Sequence, residues 1–175
     1  MLQVRLDGFA ISRLAPYSNW GELRNQASRL WPIYSKAVLL GNGRGNGPGN
    51  ITRVACRYIN RIDLPLGGWD YKDYFRTSPE VSPALPQGLS DIFMRLGIPL
   101  DDARAIVIMA TAPQLFPDKQ SVILDLDVFR TDPGCTSNDE VWALLDALRS
   151  HKNNLLEGCI TDNTRQLFGE KRDYE

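Results

Sequence analysis

From Arg53 to Leu64 the chain alternates. Val54, Cys56, Tyr58, Ile62 and Leu64 hold the even positions, interrupted only by Asn60, while Arg53, Arg57 and Arg61 recur at every fourth residue between them. Successive side chains of a strand point to opposite faces, so the run demands a β-strand with one apolar and one basic side. Such a strand needs partners in a sheet and a layer over its apolar face. The run Ile51–Leu64 is therefore the first fixed element. Ser121–Phe129 is a second, with Asp125 and Asp127 together on one face.

The remaining elements follow from turn and cap chemistry. Asp7-Gly8 separates two alternating runs and predicts a hairpin with strands at 2–6 and 9–14. Asn19 and Glu22 have capping-box spacing, and Leu23, Ala27, Leu30, Tyr34 and Val38 then fall on one helical face. Pro32 inside that pattern predicts a kink near Arg29 or a short second helix. The glycine-rich stretch 41–50 is a connector. It lacks the lysine and the strand-to-helix order of a phosphate loop. A short helix is expected over Trp69–Phe75, an irregular proline-marked loop after it, and strands at Ile92–Ile98 and Arg104–Ala112. Ser137 and Glu140 form a capping box before a helix that buries Val141, Leu144, Leu145, Leu148, Lys152 and Leu155 and ends near Gly158. Thr161 is expected to cap a last short helix through Phe168, with a charged, frayed tail at 170–175.

Strands joined by short links pair antiparallel. The expected fold is α+β: a single twisted antiparallel sheet of about five to six strands with two main helices on one face. One domain over 1–169 accommodates it, since 175 residues of which 43% are hydrophobic can bury one ordinary core.

Charge excludes some partners. Twenty basic residues against 21 acidic ones give a net charge of −1, which argues against nucleic acid and anionic membranes. The longest apolar run, Ala105–Ala110, is far below the ~20 residues of a membrane span. Cys56, Cys135 and Cys159 have neither metal-finger nor redox spacing, and Cys56 and Cys159 read as reduced, structural thiols of a cytoplasmic protein. Trp20, Trp31, Trp69 and Trp142 suit core edges.

Several stretches in order carry a family resemblance. They are Leu2–Phe9, Ser12–Tyr17, Asn19-Trp20, Leu30-Trp31, Arg57–Asp63, Phe93–Leu96, Leu124–Asp127 and Ile160–Asp162. Together they resemble a sporadically distributed prokaryotic family of conserved proteins whose function is uncharacterised. The resemblance implies no activity, cofactor or catalytic residue. It also implies that this chain corresponds to the C-terminal two-thirds of a member, as a truncated or split form. The outer edge of Leu2–Leu6 would then lack a neighbour and could pair with a protein partner or a second copy.

The candidate site is the charged sheet face: Arg53, Arg57, Arg61 and Arg95 with Asp125 and Asp127. One reading makes these groups a set of cross-strand ion pairs. Another makes them a binding site for a small anionic ligand or a protein partner, with arginine supplying planar donors. A metal-assisted hydrolase using Asp125 and Asp127 is the enzyme alternative, opposed by the nearby arginines. Asn60, alone among apolar residues, is expected to satisfy its amide on backbone, with ligand contact as the alternative. His151 is the only histidine, and its neighbours Ser150 and Cys159 are wrongly spaced to form a nucleophile pair with it.

Overall fold

The computed structural model describes residues 1–14, 19–39, 51–67 and 70–169. The connector at 41–50, the tail at 170–175 and Trp69 lie outside these residues. The chain divides into two compact units: Met1–Asn50 with Thr136–Asn138, and Ile51–Cys135 with Asp139–Glu175.

The first unit holds a hairpin, β1 (Leu2–Arg5) and β2 (Gly8–Ile11), and one helix, α1 (Trp20–Leu39). The turn falls on Leu6-Asp7, one residue before the expected Asp7-Gly8, because Arg5 pairs with Gly8. This register sets Leu2 opposite Ile11 and Val4 opposite Phe9. All four apolar side chains then share one face, and Leu6 is left in the turn, 83% exposed. Phe9 packs edge-on to Trp31 and against Tyr34, with ring centroids 5.7 and 5.4 Å away. Asn19 Oδ1 accepts from the Glu22 amide at 2.9 Å, as the capping spacing predicts. The Glu22 carboxylate accepts from the Asn19 side chain. Ala27 and Tyr34 are buried, and α1 is assigned unbroken through Pro32, so no second helix forms.

The second unit is built on four antiparallel strands in the order β3-β6-β5-β4. These are β3 (Arg53–Pro65), β4 (Phe93–Pro99), β5 (Arg104–Ala112) and β6 (Lys119–Thr131). The α+β class and the antiparallel pairing are as expected. The strands divide between two sheets rather than one, because β1 and β2 pair only with each other.

The register places the even residues of β3, β4 and β6 with the odd residues of β5 on one face. That face is the core: Ile62, Leu64, Val107, Met109, Val122, Leu124 and Leu126 are at most 1% exposed. Helix α3 (Asn138–Cys159) buries Val141, Leu144, Leu148 and Lys152 as its spacing predicts, and Cys159 in addition, while Leu145 and Leu155 of the expected face are only half-buried. Two short helices, α2 (Tyr71–Tyr74) and α4 (Asp162–Leu167), close the end of this layer, with Tyr71, Phe75 and Ile160 in the core.

Thr161 stands at the N-cap position of α4 but makes no side-chain cap bond. Its hydroxyl donates instead to the Asp73 carbonyl at 2.7 Å, which also accepts from Asn163 Nδ2. Thr164, fully buried, donates to the Tyr74 carbonyl at 2.5 Å. The segment Thr161–Thr164 is thus a latch on carbonyls that a one-turn helix cannot satisfy internally. Among the described residues, no helix is long and apolar enough to cross a membrane.

Candidate functional site

The second face of the four-stranded sheet collects every arginine and aspartate that the alternation singled out. Arg53, Arg57 and Arg61 lie along β3, Asp125 and Asp127 beside them on β6, and Arg95 across the sheet on β4. Arg57 grips Asp125 with two parallel bonds, Nε to Oδ1 at 2.9 Å and an Nη2 nitrogen to Oδ2 at 2.5 Å. Its register partner is Asp127, so the grip is diagonal. Arg53 reaches further along the sheet to Asp127 Oδ2 at 2.7 Å, with its guanidinium 4.4 Å from the Phe129 ring centroid. Arg61 bonds Asp63 on its own strand at 2.9 Å, Ser121 Oγ at 2.5 Å and the Pro113 carbonyl. Cross-strand ion pairs thus form at Arg53 and Arg57, whereas Arg61 finds its carboxylate on its own strand.

The ladder is layered. Arg57 is 54% exposed over an Asp125 side chain that is 9% exposed, and Arg53 is 46% exposed over Asp127 at 20%. Carboxylates lie in the floor and guanidinium groups on top. The bidentate bond to Asp125 raises the Arg57 pKa. The Ser121 hydroxyl holds the Asp63 carboxyl below its usual range against desolvation, helped by Arg61 and Lys119. Asp127 Oδ1 is buried with no hydrogen-bond partner among the described residues.

The structure brings the remaining candidates together only in part. Arg95 is exposed and makes no ion pair among the described residues; Arg104, absent from the sequence reasoning, behaves the same way on β5. Asn60, half-buried on the core side, donates to the Leu124 carbonyl at 3.1 Å, the backbone bond expected of it. Asp63 and Ser121 were missed as ladder members. Asp63 was visible, being two residues after Arg61 and so on the same face. Ser121 needed the β3–β6 register.

Asp125 and Asp127 are both held by guanidinium groups, and among the described residues no three His, Cys, Asp or Glu side chains could hold a metal ion. His151 Nε2 lies 2.9 Å from Asp102 Oδ1, and Arg130 also bonds Asp102. Ser150 donates to the Asp146 carbonyl, and the thiol of Cys159 is pushed up by burial. Cys56 is likewise pushed up to about 11 by burial, offset in part by Lys152 and Arg149. Lys152 is itself buried, with its ammonium 3.6 Å from the Tyr58 ring centroid.

No family model, curated protein or solved structure matches the chain.

Proposed function

We propose that this chain is a non-catalytic, cytoplasmic interaction domain that offers the arginine-topped face of its four-stranded sheet to an acidic protein partner. The carrying observation is the layering of the ladder. With the carboxylates beneath and Arg53 and Arg57 half-exposed above them, the face meets solvent as guanidinium. Each guanidinium has five donors and the internal pairs use only some of them, so an incoming carboxylate can be accepted without breaking the ladder. Ile59, 61% exposed between Arg57 and Arg61, supplies apolar contact area at the same place. Three free, buried cysteines suit a reducing compartment.

The test is titration of the full chain with a glutamate-rich peptide, followed by NMR at the arginine side chains. Saturable shifts at Arg53, Arg57 and Arg61 that weaken with salt are expected. The control variant combines Arg57→Ala with Asp125→Asn, so that no buried carboxylate is left unpaired. Peptide binding that ignores this variant, or shifts confined to other surfaces, would sink the reading.

Self-association through the outer edge of β1 is a companion reading, supported by Leu2 and Val4 at 44% and 53% exposed. A concentration-independent monomer in sedimentation equilibrium would remove it.

A further inference from the structure

The opposite edge of the same sheet carries a separate feature. The amide of Thr111 donates to the Ile92 carbonyl and that of Leu100 to the Ala103 carbonyl. In the β4–β5 register these bonds assign the even residues of β4 to β5. The backbone groups of Phe93, Arg95 and Gly97, and the carbonyl of Pro99, therefore point away from the sheet. Among the described residues nothing bonds to them.

The side chains beside this open row are as specific as the row itself. Phe93 is 73% exposed, and space around Gly97 is open, with nothing within 4 Å of where a Cβ would stand. Arg95 lies between them without a carboxylate, whereas Arg53, Arg57 and Arg61 all have one. On the other face, Met94, Leu96 and Ile98 are half-buried at the rim of the core.

We propose that β4 is a docking edge for an extended segment of another protein, which adds to the sheet as a fifth strand. The segment carries a carboxylate opposite Arg95, a bulky side chain over Gly97 and apolar side chains beside Met94, Leu96 and Ile98. Backbone bonds supply affinity and the side-chain alternation supplies selectivity. A second copy of this chain fits less well. Two-fold antiparallel registers that pair Arg95 with another residue of β4 set Arg95 against its own counterpart, diagonal to it, or against Pro99, which has no N–H to give. The same arginine that resists self-pairing therefore selects an acidic partner. This site lies across the sheet from the ladder, and its failure would leave the ladder test untouched.

The probe is a synthetic peptide, Thr-Val-Tyr-Val-Glu-Val-Thr, compared with one carrying lysine in place of glutamate. Both are titrated into the full chain with amide NMR and hydrogen exchange as readouts. The acidic peptide should protect the amides of Phe93, Arg95 and Gly97 and bind about tenfold more tightly than the basic one, given cross-strand charge pairing. Arg95→Glu, at an exposed position, should reverse that preference. Three results overturn the proposal: no binding of either peptide at millimolar concentration, equal binding with no reversal in Arg95→Glu, or a free protein already dimeric with these amides protected.

Discussion

Asp63 shows how one side chain ties the ladder to pH. Its carboxyl is held low by Ser121, with Arg61 and Lys119 adding to the effect. A carboxyl with a lowered folded pKa stabilises the fold fully above its unfolded value, about 3.9, and loses that contribution as pH falls through the folded value. Asp63→Asn should therefore flatten the acid limb of a stability-versus-pH curve below about pH 4, measured by urea denaturation. Arg57 acts by position instead. Arg57→Ala leaves Asp125 buried without its bidentate partner and should cost about 1–3 kcal/mol. Adding Asp125→Asn should recover part of that loss in the same denaturation experiment. The sequence announced Arg57 and Asp125 by alternation alone. It could not announce that the grip is diagonal, because the reach of a long side chain across a sheet depends on register and not on spacing.

At the scale of elements, legibility followed the strength of the periodic signal. Arg104–Ala112 was readable to the residue because Pro99–Asp102 and Pro113 bound an apolar run on both sides. The hairpin was readable as a hairpin, but its turn moved because pairing Val4 with Phe9 and Leu2 with Ile11 outweighs the turn preference of Asp-Gly. Thr161 was readable as a cap by position and is used as a latch, since the Asp73 carbonyl competes for its hydroxyl. That competition involves residues 88 apart in the chain, beyond any local rule. The latch makes its own forecast. Thr164→Val keeps the shape, removes the donor to the Tyr74 carbonyl and should cost about 1–2 kcal/mol in thermal denaturation. The loss of amide protection should concentrate in α2 and α4.

For the whole molecule, the sequence conveyed the α+β class and the division of the large sheet into a basic and an apolar face. It did not convey that β1 and β2 would pair apart from the other strands, because strand signals state which residues alternate and not which neighbours they choose. Topology also orders assembly. β4, β5 and β6 are joined by short links, whereas β3 must find β6 across a long loop. Val107 and Ile62 are equally buried, one in β5 and one in β3. Val107→Ala should slow refolding, while Ile62→Ala should chiefly speed unfolding; stopped-flow kinetics on both variants decide it.

The same topology has a consequence during synthesis. The last residue of β3, Pro65, precedes the first of β6, Lys119, by roughly fifty residues, several seconds of translation at about 5–20 residues per second. For that interval the 13-residue strand is complete while its partner is still unmade. Arg53, Arg57 and Arg61 repel other strands of their own kind and keep the waiting segment hydrated. The carboxylates that match Arg53 and Arg57 come only with Asp127 and Asp125. On the nascent chain the ladder works as an address, legible to one strand and delivered once.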